Sequence, residues 1–244
     1  MQGIVSYKNF SDLDIDFPGA NNTLSAPTIA GINNAIEEGS IVDINGILWV
    51  KANKLNVVWR TDKPTARQLV LQIPQGKFRR TFSGEEYIRS AEVMKWTFYR
   101  LESATGSKEN LLKYVGSTLQ FVMDQPAIRV YKLEASIALH SQRKLLKKER
   151  MKRYFIYTDE LTGVALKRGL GSDFSHIISA ASDFELADQI WNGLVVNTEI
   201  HKLITSKGIT DSTDLLCLCD EEGWKTSWYD DFHNSLNEFY EQCV

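Results

Sequence analysis

Apolar positions Ile29, Ile32, Ala35 and Ile36 recur at helical spacing after Ser25, with Pro27 suited to the first turn and Gly39 to the stop. That pattern predicts a helix. Two β-rich runs follow, Ile41-Val42-Asp43-Ile44 and Ile47-Leu48-Trp49-Val50, separated by Asn45-Gly46. Asn-Gly between such runs predicts a hairpin, because its turn residues must accept positive φ. Further apolar runs predict strands at 55–60 and 68–73, so the first seventy-odd residues read as a helix packed on a small antiparallel sheet. Beyond Pro74-Gln75-Gly76, Lys77, Arg79 and Arg80 fall in a polar, loop-like segment. Helices are predicted over 85–102 and 108–123, the second ended by Pro126, then a strand over 127–135 and a helix over 135–153.

In the last third, Tyr154-Phe155-Ile156-Tyr157 is strand-like and Asp159-Glu160-Leu161-Thr162-Gly163 is turn-like. Residues 164–166 and 174–178 are expected to pair as short strands across the glycines of Arg168-Gly169-Leu170-Gly171-Ser172. Asn197 or Thr198 suits a helix N-cap, Ile200, Leu203 and Ile204 form an apolar stripe, and Gly208 closes that helix. The order is therefore strand, strand, loop, helix, with His176 on the second strand and His201 on the helix. Cys217-Leu218-Cys219 reads as a buried strand, and 224–240 as a closing amphipathic helix. The fold class is α+β: an N-terminal mixed region of helix and antiparallel sheet over 1–150, then a second domain over 151–244.

Composition narrows the function. At 244 residues the chain suffices for one large domain or two small ones. Charge interrupts every apolar stretch and no cationic start precedes an apolar core, so neither a membrane span nor a secretory signal is expected. Three cysteines without a Cys-x-x-Cys pair argue against a disulfide framework and suit a reducing cytoplasm. The net charge of −3 conceals an asymmetry: 1 Lys or Arg against 6 Asp or Glu over 1–50, 22 against 9 over 51–153, and 5 against 16 over 154–244. The middle is a candidate grip on a polyanion and the end a candidate cation site, unless the charges merely segregate between solvated surfaces. Arg143, Lys144, Lys147, Lys148, Arg150, Lys152 and Arg153 face one acid, Glu149, within the predicted basic helix.

Four pieces then stand in order: Leu161-Thr162-Gly163-x-x-Leu166, Ser175-His176-Ile177, Asn192-Gly193-Leu194, and His201 nine positions after the asparagine. Over about 158–208 this arrangement resembles the HNH, or ββα-metal, nucleases, and the chain is similar to restriction endonucleases of that type. The resemblance implies a C-terminal ββα-metal catalytic domain that hydrolyses phosphodiester bonds in double-stranded DNA. By that resemblance His176 is the general base, a task neutral imidazole suits because its pKa lies near ~6.5. His201 is a metal ligand on the helix, Asn192 orients the histidine strand by bonding backbone across the loop, and Gly193 permits a tight approach.

Many members carry an acidic ligand immediately before the catalytic histidine, where this chain has Ser175, a poor partner for a hard cation. Asp173, on the same strand face as Ser175, is the preferred replacement, with Asp159 and Asp183 as further options. The family's bracing cysteines are also missing, so hydrophobic rather than zinc support is expected. The implied cofactor is one divalent ion per site, Mg²⁺ or alternatively Mn²⁺, and a homodimer would serve to cut both strands. Candidate DNA contacts are Arg79, Arg80, Arg143, Lys144, Lys147 and Lys148. Against these roles stand plainer ones: His176 as a satisfied buried histidine, His201 as helix surface, Asn192-Gly193 as a simple turn. The rival functions are an inactive DNA-binding or regulatory protein, favoured by Ser175, and an RNase or toxin of the same fold. His140 and His233 receive no function.

Overall fold

The computed structural model describes residues 7–19, 24–166 and 171–243, with the side chains of 140–144 set aside. The chain is a mixture of helices and antiparallel sheets. It forms two compact units: Met1–Ala135 with Phe239–Val244, and Ser136–Glu238. Among the described residues, no helix is long and apolar enough to cross a membrane.

The first unit carries a five-stranded antiparallel sheet in the order β1-β2-β3-β5-β4. Its strands are β1 (Tyr7–Asn9), β2 (Ser40–Asp43), β3 (Leu48–Lys51), β4 (Arg79–Phe82) and β5 (Glu85–Arg89). Helix α1 (Ala26–Glu37) has Pro27 in its first turn and buries Ile29, Ile32, Ala35 and Ile36, the stripe visible in the sequence. The hairpin at Asn45-Gly46 forms as expected, with Ile41 opposite Trp49 and Gly46 at φ 72°. Asp43 holds this turn. Its carboxylate accepts from the backbone N–H of Asn45 (2.9 Å) and Ile47 (3.0 Å) and from the Trp49 indole N–H (3.0 Å).

Several expected elements are different. The runs at 55–60 and 68–73 are not strands but helices α2 (Leu55–Val58) and α3 (Lys63–Leu71). The Asp62 side chain caps α3 by accepting from Thr65 N–H at 2.8 Å, Pro64 fits its first turn, and Ala66 and Val70 are buried one helical turn apart. A short apolar run cannot distinguish strand from buried helix, and here the cap decides. Arg79 and Arg80 lie on β4 rather than in a loop, and 85–89 is strand β5 rather than the start of a helix. Ser83 and Gly84, at φ 50° and 80°, make the two-residue turn that pairs Phe82 with Glu85. Helix α4 (Ser90–Glu102) begins after it, and α5 (Gly106–Met123) matches its prediction closely. Pro126 does not merely end α5. It opens α6 (Pro126–Arg153), one continuous helix that replaces the strand expected at 127–135.

In the second unit the two paired strands are β6 (Ser172–His176) and β7 (Gly193–Asn197), followed directly by α7 (Thr198–Ser206). The loop therefore separates the strands instead of following them. Residues 164–166 do not pair with 174–178; Ala165 bridges Thr158. Residues 154–157 form no strand. The glycine crossover at 168–172 falls largely outside the described residues, which resume at Gly171. Cys217 and Cys219 lie on helix α8 (Ser212–Glu222), not a strand, because Asp211 caps it through the N–H groups of Thr213 and Asp214 and Gly223 stops it at φ 67°. Helix α9 (Trp228–Glu241) closes the chain. Leu161, Ile177, Leu194, Val196, Ile204, Leu215, Leu218, Cys219, Trp228 and Phe232 form this unit's apolar core.

Asp43→Ala should destabilise the first unit by about 2–4 kcal/mol, read from denaturant unfolding, because it leaves buried donors unpaired. Burial raises the Asp43 pKa above its ordinary 3.8, more than its hydrogen bonds lower it. The folded chain therefore holds this proton more tightly than the unfolded chain. Stability from this group is full below the ordinary value and falls as pH rises through the raised one, a dependence Asp43→Ala should lack.

Candidate functional site

Strand β6 has two faces with different chemistry. Antiparallel register sets Asp173 opposite Val196 and Ser175 opposite Leu194, so both share the face that carries the core residues Leu194 and Val196. Helix α7 adds Ile204 to the same core, which brings its His201 over the strand. The Asp173 carboxylate Oδ2 lies 3.5 Å from His201 Nδ1, and both side chains are partly exposed. Ser175, on the same face, is buried.

Phe174 and His176 stand with their rings edge to face at 5.2 Å. His176 Nε2 is 2.9 Å from the Ala187 carbonyl oxygen. A carbonyl only accepts, so this bond places the proton on Nε2 and makes Nδ1 the basic nitrogen of the neutral ring. His176 sits opposite Gly193, whose backbone lies so near the Phe174 ring that an added Cβ would collide with it. Gly193 is extended there, so what excludes a side chain is the aromatic ring and not a special φ.

Asn192 is fully buried. Its Oδ1 accepts from Ile178 N–H at 2.9 Å, while Nδ2 donates to the carbonyls of Ile178 (3.0 Å) and Leu186 (2.9 Å). Its own carbonyl accepts from Ile177 N–H at 3.1 Å. These bonds tie the residues after His176 to the segment that supplies Ala187, and so fix the histidine's partner.

Behind the strands, Asp159 and Glu160 line the other edge of β7. Asp159 Oδ1 accepts from the N–H groups of Leu161 and Thr162, both at 3.0 Å, and Oδ2 from Asn197 N–H at 2.6 Å. With both oxygens engaged by backbone, Asp159 is a structural cap and not an alternative metal carboxylate. Glu160 bonds Val195 twice: its N–H reaches Val195 O at 3.0 Å and its Oε2 receives Val195 N–H at 2.6 Å. The same carboxylate takes a bidentate bond from Arg150, at 2.9 and 2.8 Å, whose third nitrogen donates to Ile190 O at 2.9 Å. Arg150 is buried, and its guanidinium lies 4.9 Å from the Tyr154 ring. The only trace of this clamp in the sequence is an acidic pair at a turn.

The expected DNA contacts separate. Arg80 is buried, with its guanidinium 5.0 Å from the Trp49 ring and a bond to the Gly76 carbonyl, so it supports the sheet and does not present a charge to solvent. Arg79 is mostly covered, bonding Val70 O and pairing with Glu86 at 3.5 Å. Lys147 donates to Ser172 O at 2.5 Å at the start of β6, and Lys148 is exposed. The side chains of Arg143 and Lys144 lie outside the described residues. Asp183 is buried in the loop.

Among the described residues, no three His, Cys, Asp or Glu side chains converge as a metal-binding group. Asp173 and His201 are one oxygen and one nitrogen donor side by side; the carboxylate suits a hard cation and the imidazole a transition-metal ion. Comparison with protein-family models, curated proteins and solved structures finds no match to this chain.

Glu160→Ala should lower the stability of the second unit by about 3–5 kcal/mol in denaturant unfolding followed by tryptophan fluorescence, since it strands a buried guanidinium. The shorter side chain of Glu160→Asp should recover only part of that loss, because the bidentate reach is gone.

Proposed function

We propose that the chain is a divalent-metal-dependent endonuclease of the HNH, ββα-metal type, hydrolysing phosphodiester bonds in double-stranded DNA in the manner of a restriction enzyme. The observation that carries this reading is the meeting of Asp173 and His201 across β6 and α7, three residues from a histidine whose tautomer is set by a backbone carbonyl. In this reading Asp173, on the same strand face, takes the place of the carboxylate missing at Ser175.

In this reading His176 Nδ1 takes a proton from a water molecule as its oxygen attacks the phosphorus, and the bond from phosphorus to the leaving oxygen breaks. Nε2–H, held by Ala187 O, keeps the ring oriented and stabilises the imidazolium that forms. Asp173 and His201 would hold Mg²⁺ or Mn²⁺, which when bound stabilises charge on the phosphate and leaving oxygen. Asn192 positions by stapling the loop. Exposed cations at the end of α6, Lys148, Lys152 and Arg153, would neutralise phosphates in place of the covered Arg79 and Arg80. A homodimer would bring two such sites to the two strands of a duplex, and the three free cysteines suit a reducing cytoplasm.

The second reading, a DNA-binding protein whose module does not cut, draws on the small ligand set around Asp173 and His201. Plasmid cleavage with Mg²⁺ or Mn²⁺ separates them. The native chain should linearise plasmid, His176→Ala should be slower by about 10²–10⁴, and Asp173→Asn should need more metal. Intact plasmid across metals and DNA sequences would sink the enzyme reading; cutting unchanged in His176→Ala would sink the assignment of the base. Sequenced ends on a genome-sized DNA should share one motif.

A further inference from the structure

At the end of α6 the chain turns through Tyr154, Phe155, Ile156 and Tyr157. Ile156 is buried and anchors the turn, whereas Phe155 and Tyr157 are each 76% exposed. The turn closes the helix with bonds from Tyr154 N–H to Arg150 O (3.0 Å) and from Ile156 N–H to Met151 O (3.1 Å). Such a closure demands left-handed backbone at the intervening residue, a position glycine fills in most helices. Here Phe155 fills it, at φ 52°. A bulky residue in that conformation costs folding free energy, and a solvent-facing ring recovers little of it by burial.

The surroundings indicate what the ring meets. Lys148, Lys152 and Arg153 are exposed on the last turns of α6, with Glu149 the one acid among them. The Arg153 guanidinium lies 5.9 Å from the Tyr154 ring. Val164, next to Ala165 in the Thr158–Ala165 bridge, is also exposed. Two exposed aromatic residues that follow directly on a cationic helix end match a polymer that is anionic outside and has flat, stackable bases inside.

We propose that this aromatic knuckle engages DNA, with Phe155 entering a base step or stacking on an unstacked base, Tyr157 supporting it, and Lys148, Lys152 and Arg153 contacting the flanking phosphates. The inference rests on the DNA reading above and adds a means by which the second unit distorts its substrate. In this proposal the left-handed conformation of Phe155 sets its ring where it wedges the bases.

The test uses the full chain carrying His176→Ala, without divalent metal, on duplex oligonucleotides containing 2-aminopurine. Phe155→Gly should melt at the same temperature or higher, because glycine suits the left-handed position. It should nonetheless bind DNA about fivefold or more weakly, the loss expected of one stacking ring, and abolish the fluorescence rise that marks unstacking. Tyr157→Ala, which leaves the strained position untouched, should weaken binding without that gain in melting temperature. Unchanged affinity and fluorescence in both variants would overturn the proposal, as would a parent that binds no DNA. Binding to anionic vesicles that depends on Phe155, with none to DNA, would also overturn it and assign the surface to lipid. Cleavage by the chain with native His176 is scored separately: cutting with no effect of Phe155→Gly defeats only the wedge, whereas Phe155-dependent binding without cutting defeats only the nuclease.

Discussion

The second unit depends on one largely covered ion pair. Arg150 and Glu160 satisfy each other bidentately, and the same carboxylate accepts the amide of Val195. Each member makes the other tolerable in a poorly solvated place, so neither can be removed alone without leaving a charge uncompensated. Through this pair the end of α6, the turn at 159–163 and the centre of β7 become one assembly. Asp159 completes it at Asn197, where β7 passes into α7. A turn rich in acids thereby braces the strands by charge-assisted hydrogen bonds, beside an apolar core.

On that frame the two sides of a five-residue strand carry separate tasks. Asp173 shares the core-facing side with Ser175 and meets His201, while His176 emerges on the other side, next to Phe174 and under the control of Ala187 and Asn192. Strand alternation alone accomplishes this division. A two-residue step returns to the same face, so under the proposed function Asp173 would take the place of a carboxylate at Ser175.

How much was legible follows from the kind of signal each segment carries. The helix at 26–37, the Asn45-Gly46 hairpin, the helix at 106–123 and the helix bearing His201 combine periodicity with a local start or stop, and these are found in the structure. Short apolar runs fared worse. Val57-Val58 and Leu69-Val70-Leu71 look like strands, yet both lie in helices, the second started by the Asp62 cap and Pro64. Gly193 to Asn197 is buried at every position, on both faces of the strand, so it shows no alternation to read. The spacing of His176, Asn192 and His201 could be seen in one dimension, but the Asp173–His201 approach depends on register, and register is set by residues about twenty positions away. Arg80 shows the converse error: a cation in a polar stretch reads as surface until the ring of Trp49 is found beneath it.

Asn192 carries a further consequence. An asparagine followed by glycine is the pair most prone to lose its side-chain amide through attack by the next backbone nitrogen. Here the amide is buried, with its oxygen taken by Ile178 N–H and its nitrogen shared between two carbonyls. Those bonds engage both polar atoms of the side chain and restrain the rotation that cyclisation needs, so the fold that uses this residue also slows its chemical ageing. Were the amide lost, the resulting carboxylate would confront the carbonyl oxygens of Ile178 and Leu186, replacing two attractions with two repulsions. The loop that aims His176 therefore holds its own molecular clock, and unfolding is what would start it.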